Sequence, residues 1–355
     1  MKPAFDSIPL SPRPSGRGFN TMSTDLLPIL FSRGLITAPA NVKVTSLAGG
    51  VSCDIFLIEE GDTKFVLKRA LAKLRVKDDW FADVNRNQHE QDYLDYAYRV
   101  LPANFPKILH RDPEHGFFTM EYLGPEYHNW KTQLLAGRHE SKHSLSAALS
   151  LAAIHTRSWN DPVAKQTFNT GKNFYDLRIH PYLITTGQRN PPLQSLFDAE
   201  AKRLAATHLC LVHGDYSPKN MLISDSRGMK ILDCEVAWFG DPAFDIAFLL
   251  NHLVLKMLLF RRDPDRLLHM ALEAWSFYIR EFTPQQREGL EARTARLLLM
   301  LMLARIDGKS PVEYLREEIQ QRLVRQFVMQ QLTSGRRLEL ANVVNEWFAE
   351  IRVIR

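Results

Sequence analysis

At 355 residues, with 45% hydrophobic and 24% charged, the chain can bury one or two sizeable cores and is too apolar for wholesale disorder. Its net charge of +5 is mild for this size. No basic stripe, zinc pattern or aromatic RNA-binding signature accompanies that charge, which argues against nucleic acid as a partner. The three cysteines, Cys53, Cys210 and Cys234, form no CxxC pair and no disulfide framework, so a reducing compartment, the cytoplasm, is expected.

In chain order, residues 1–24 form a Pro-, Ser- and Gly-rich stretch without a signal-peptide core, expected to be a disordered tail, with Met22 an alternative start. A short helix is predicted over 25–35. Next comes a β-meander: strands 42–47, 53–59 and 63–69, with Gly49-Gly50 and Gly61-Asp62 at the turns. A helix over 87–101 is ended by Pro102 and Pro106, and a further strand over 117–123 by Gly124-Pro125. That break divides the chain into a first lobe, 25–124, and a second, 125–355. Beyond it the pattern is mainly helical. Residues 144–158 carry a buried-helix stripe at 145, 149, 152 and 153. Two short apolar runs, 209–212 and 229–232, flank the densest polar motif of the chain. The segment 244–260 is apolar nearly all round and predicts a core helix. It is broken by Asp245, Asn251, His252 and Lys256, so it does not read as a membrane span, and the apolar run 297–304 is too short for one. Amphipathic helices fill 264–355, and Ser310-Pro311-Val312-Glu313 carries an N-cap signature. Strands first and helices afterwards predict an α+β fold in two lobes, with no alternating parallel sheet.

The densest motif is His213-Gly214-Asp215-Tyr216-Ser217-Pro218-Lys219-Asn220, followed after a short apolar run by Asp233. Phosphoryl transfer needs a carboxylate beside the attacking hydroxyl and oxygen ligands for Mg²⁺. Asp215 and Asn220 match the H-x-D-x-x-x-x-N spacing of a kinase catalytic loop. Asp215 is then the catalytic candidate, and Asn220 and Asp233 are the metal candidates. The rival reading is a turn rich in Asp, Asn and Pro between two strands. Glu235, in an Asp-x-Glu pair with Asp233, either reaches metal or stands behind the ligands.

HGDYSPKNMLI followed by ILDCEVAWFGDPAFDIA resembles the aminoglycoside phosphotransferase and choline kinase superfamily. The resemblance implies a two-lobed, protein-kinase-like fold with ATP and Mg²⁺ as cofactors. It also implies structural roles for Asp241 and Asp245, which would cap the following helix and brace the catalytic loop. A protein kinase fits less well: Cys234 and Glu235 follow Asp233, no Ala-Pro-Glu occurs, and only seven residues lie between Asp233 and Asp241.

The same resemblance assigns the nucleotide site to the first lobe. Strand alternation puts Val66 and Lys68 on one face, with Lys68 reaching for phosphates and Glu90 its expected partner. The rivals are an exposed strand-end lysine and a capping box from Asn87 to Glu90. Gly49, Gly50 and Ser52 stand where the family has its phosphate-covering hairpin. Glu121 and Leu123 belong to the expected hinge beside adenine.

The stretch 65–80, with MEYL and the LLAG at 134–137, is similar to methylthioribose kinases, although Asn220 departs from that subfamily's loop. No clear acidic cluster marks the C-terminal third. Arg305 and Asp307 are the substrate candidates, against the rival of a helix C-terminus decorated with basic residues. His155 reads as a core histidine. The expected activity is ATP-dependent phosphorylation of a small hydroxyl compound, such as a sugar, amino alcohol or aminoglycoside-like molecule. The alternatives are a nucleotide-binding regulator and, further off, a protein kinase.

Overall fold

The computed structural model describes residues 20–47, 53–71 and 86–353. The chain begins with helix α1 (Asn20–Ser32), which starts and ends a few residues earlier than the sequence predicts. Gly34, at φ +68°, turns the chain out of it. An antiparallel sheet follows, built from β1 (Lys43–Ser46), β2 (Cys53–Glu60), β3 (Thr63–Ala70), β4 (Ile108–Asp112) and β5 (Phe117–Glu121), in the order β1-β2-β3-β5-β4. The edge strand β4 is absent from the sequence reading. It is half-exposed and irregular, with a bulge between Ile108 and His110, so it carries no clean alternation.

Strand alternation sends β3 into two cores. Phe65 and Leu67 join Leu26, Leu30, Phe56 and Phe117 under α1. Val66 faces the other way, into the main core, with Phe118 and Met120 of β5 and Tyr93, Leu94 and Ala97 of helix α2 (Arg86–Val100). That core runs on without a break into the helical part of the chain. There α3 (Ser141–Arg157), α4 (Ala243–Leu259), α5 (Asp265–Arg280), α6 (Leu290–Asp307), α7 (Glu318–Thr333) and α8 (Leu340–Val353) pack together. Every residue of α4 from Ala243 to Leu258 is buried, as its nearly all-round apolar sequence requires. The fold is α+β, an N-terminal antiparallel sheet with a larger helical part.

Two small sheets, all of whose strands except β6 lie between α3 and α4 in the chain, frame the polar motif. One pairs β7 (Cys210–Val212) with β10 (Trp238–Gly240); the other runs β6 (His128–Asn129), β8 (Met221–Ser224), β9 (Gly228–Ile231). Between α3 and β7 the chain also forms a π-helical segment, Tyr175–Ile184, with Pro181 inside it. The Ser310 signature does not open a helix. The Ser310 hydroxyl accepts from Arg305 and the Val312 amide donates to the Arg305 carbonyl, so the cap groups are used in a turn and α7 starts only at Glu318. Among the described residues, no helix is long and apolar enough to cross a membrane.

Asp112, at the end of β4, ties α1 to the sheet. Its carboxylate accepts from Arg33 Nε at 2.9 Å and from the His115 amide at 3.0 Å. Burial acts to raise its pKa, but the His115 amide and Arg33 outweigh burial and hold it at about 2. A folded-state pKa below the unfolded value makes the contribution present above about pH 4 and lost as pH falls towards 2. Asp112→Asn is therefore expected to lower stability at pH 7 by about 1–2 kcal/mol in urea titrations. The gap to the wild type should close as the titrations are repeated at falling pH.

Candidate active site

Lys68 of β3 is buried and lies between two carboxylates. Its Nζ is 2.7 Å from Glu90 Oε1 on α2 and 2.6 Å from Asp233 Oδ1. Burial acts to lower the lysine's pKa, but Asp233 and Glu90 raise it well above the ordinary value, so the ammonium stays charged. Burial pushes Glu90 up to about 7 against the pull of Lys68. Helix α2 already includes Asn87, whose side chain donates to the Gly116 carbonyl, so Glu90 faces the sheet and closes no capping box. Behind this group, Glu235 accepts from Arg86 Nε at 3.0 Å, which occupies it away from Lys68.

The catalytic-loop motif follows β7 and is braced from below. Asp245, fully buried in the first turn of α4, accepts from the His213 amide at 2.6 Å and the Gly214 amide at 2.9 Å. His155 Nε2 lies 3.3 Å from the same carboxylate, and its Nδ1 meets the Tyr278 hydroxyl, making it a satisfied core histidine. Gly214 has φ +79°, and a Cβ there would stand 2.5 Å from the Val236 carbonyl oxygen, so only glycine fits. His213 spans the loop: Nδ1 accepts from the Asp215 amide, and Nε2 faces the Leu232 carbonyl at 3.2 Å. Burial keeps its imidazole neutral, which this bonding pattern needs.

Asp215 is the focus. The Asn220 amide at 2.9 Å, Lys219 Nζ at 3.0 Å and Arg178 at 3.2 Å all converge on Oδ2. Among the described residues, Oδ1 has no partner. Burial acts to raise the pKa, but Lys219 and Arg178 hold the carboxyl well below the usual carboxylate range. Asp233 is likewise depressed, by Lys68 and Lys219 against burial. The Leu232 amide donates to the Asn220 carbonyl, which sets Asp233 beside Asn220. Asn220 spends its amide hydrogens on Asp215, and among the described residues its side-chain oxygen and the second oxygen of Asp233 have no partner. Two hard oxygens beside a lysine suit Mg²⁺ on a phosphate chain.

Other sequence candidates fall into two groups. Glu121 ends β5; its amide donates to Lys107 and its carboxylate accepts from Lys230 at 2.8 Å. Leu123, two residues on, has a backbone N–H and carbonyl with no partner among the described residues, the pair an adenine edge can use. Gly49, Gly50 and Ser52 lie outside the described residues. Arg305 comes to the neighbourhood of Asp215 through Tyr182, whereas Asp307 is engaged by Arg325 at 2.7 Å and by Asn190. Arg178, which reaches Asp215 at 3.2 Å, is not among the sequence candidates. Arg178 sits in the π-helical segment, where no 3.6-residue pattern signals its direction. Lys219 could have been found, since it stands within the motif four residues past Asp215.

The profile of the phosphotransferase enzyme family matches residues 43–290. Methylthioribose kinase of Pectobacterium atrosepticum is 24% identical over 226 residues, 56% of this chain and 56% of that one. This chain thus spans little more than half the length of that relative. Methylthioribose kinase of Escherichia coli is 25% identical over 327 residues, 78% of this chain and 75% of the relative. Among solved structures, Plasmodium vivax ethanolamine kinase superposes with a TM-score of 0.55 at 12% identity, covering 94% of this chain and 88% of the other, a likeness of fold.

The brace under the loop can be tested apart from chemistry. Asp245→Ala leaves two buried amides without an acceptor, each an uncompensated loss. Urea unfolding is expected to show a loss of about 3 kcal/mol, and amide exchange at His213 and Gly214 should accelerate together.

Proposed function

The chain belongs to the phosphotransferase enzyme family, and from that membership we propose that it is an ATP-dependent kinase of a small hydroxyl compound. The observation that carries the reading is the arrangement around Asp215, with three donors on Oδ2 and none on Oδ1. A hydroxyl bonded to Oδ1 would find a carboxylate fixed in position and kept ionised. The hydroxyl oxygen attacks the γ-phosphorus, its proton passes to Asp215, the bond to the β–γ bridging oxygen breaks, and ADP leaves. Because Asp215 is a weak base, its main contribution is orientation, with proton transfer late.

Lys68, kept charged and fixed by Glu90, would hold the α/β-phosphates of ATP. Leu123 would offer its backbone to adenine, with Gly49, Gly50 and Ser52 expected over the phosphates. Asn220 and Asp233 would hold Mg²⁺, which when bound neutralises charge on the phosphate oxygens. Sugars, amino alcohols and aminoglycoside-like alcohols are the acceptor classes with which the assay begins. Methylthioribose heads the compounds to assay because of the two relatives named above. The complete set of Lys68, Glu90, Asp215, Asn220 and Asp233 supports an active enzyme over a nucleotide-binding regulator.

Mg²⁺-dependent ADP formation over a panel of small alcohols tests this. Asp215→Ala is expected to lower kcat by about 10²–10⁴-fold with nearly unchanged ATP affinity. Asp233→Ala should weaken Mg·ATP binding itself. Wild-type turnover in Asp215→Ala would remove the catalytic assignment.

A further inference from the structure

Near Asp215, the π-helical segment, α4 and the end of α6 bring together an unusual excess of positive charge. Arg178 and Arg305 lie against the same Tyr182 ring, their guanidinium carbons 5.7 and 5.8 Å from its centroid. Arg178 is committed, donating to the Gly214 carbonyl and to Asp215. Lys219 is committed to Asp215 as well. Arg305 is not. Its Nη1 donates to the Tyr182 and Ser310 hydroxyls, its Nε is buried with no partner, and among the described residues no carboxylate touches it.

Two further groups, a buried lysine and a neutral histidine, adjoin them on α4. Lys256, one turn on from His252 in α4, is buried without a carboxylate contact, donating to the His252 carbonyl and lying 4.7 Å from the Tyr314 ring centroid. The nearest acidic group, Glu313, is already paired with Lys131 at 2.5 Å. The His252 ring, 7% exposed, has no hydrogen bond among the described residues. Burial first, then Lys256 and Arg305, hold its pKa well below the ordinary value, so it stays neutral. Burial, with Lys131 and Arg305, likewise lowers Lys256, to about 7.

An ammonium group on an acceptor would meet like charge here, since Oδ2 of Asp215 is already shared by two cations and Glu313 is paired with Lys131. An oxyanion would meet an arginine with a spare donor, a neutral imidazole and an adjacent buried lysine. Taking the kinase reading as its basis, we infer that the acceptor is a hydroxyl compound bearing an oxyanion, a carboxylate or phosphate ester, received by Arg305 and His252 while its hydroxyl sits at Oδ1 of Asp215.

The test compares acceptors matched in length and differing in charge. The panel pairs glycerate, 4-hydroxybutanoate and gluconate with their primary amides, adds glycerol 3-phosphate against glycerol, and includes choline, ethanolamine and 4-aminobutan-1-ol. ADP release is followed with Mg·ATP. The expected result is a kcat/KM at least tenfold higher for an acid than for its amide, or for the phosphate ester than for glycerol; which of the two turns over identifies the oxyanion. In Arg305→Gln the acid-to-amide ratio should collapse towards one, and Arg305→Lys should restore part of it. His252→Asn gives a second reading should Arg305→Gln lower the thermal midpoint.

Preference for an ammonium compound, an acid-to-amide ratio near one in the wild type, or an unchanged ratio in both Arg305→Gln and His252→Asn would overturn the inference. So would silence from every anionic compound while Mg·ATP binds normally, which leaves the kinase reading standing. Absence of Mg·ATP binding in the wild type would instead sink the kinase reading itself.

Discussion

A buried ammonium group keeps its charge only beside counter-charge, and Lys68 takes that counter-charge from two separate parts of the chain. Glu90 comes from the helix packed on the sheet, and Asp233 from the loop after β9. Removing either carboxylate would leave the buried ammonium with a single partner and untie one of the two elements now joined to β3. The constraint therefore does more than bind one residue. It fixes the seating of α2 against β3 and brings the loop carrying Asp233 up to the sheet, so the Lys68, Glu90 and Asp233 group forms only when the whole arrangement forms.

The second centre, around Asp215, solves a different problem. The proposed encounter with a hydroxyl asks for one oxygen held and the other available, and here all three donors fall on the same oxygen. That asymmetry depends on positioning from outside the loop. Asp245 holds the loop backbone from α4, and Arg178 reaches it from a segment with non-standard helical pitch. The π-helical turn has a physical rationale in this context: its wider winding changes the direction in which Arg178 leaves the backbone.

Much of this was legible from sequence because it is local. The motif from His213 to Asn220 packs its chemistry into eight consecutive residues, and the period-two pattern of β3 gave the facing of Lys68 directly. The Lys68–Glu90 pairing followed from one strand and one helix face. What escaped depends on tertiary placement. Arg178 and His252 lie far from the motif in sequence and carry no local signature, and β4 is too short and too irregular to alternate. Ser310 was misread for the converse reason. Its local pattern was a sound cap signal, but the neighbouring Arg305 uses the same hydroxyl, and tertiary demand overrode local preference.

The division of β3 between two cores acts as a check on assembly. Phe65 and Leu67 enter the apolar layer under α1, while Val66 and Lys68 face the main core. A slip of one residue against β2 would exchange the two sets, driving an ammonium into the α1 layer and setting Leu67 between the carboxylates of Glu90 and Asp233. Both errors would be costly at once, so a mispaired hairpin has no low-energy version to settle into. The charge held between Glu90 and Asp233 thereby also proofreads the register of the sheet.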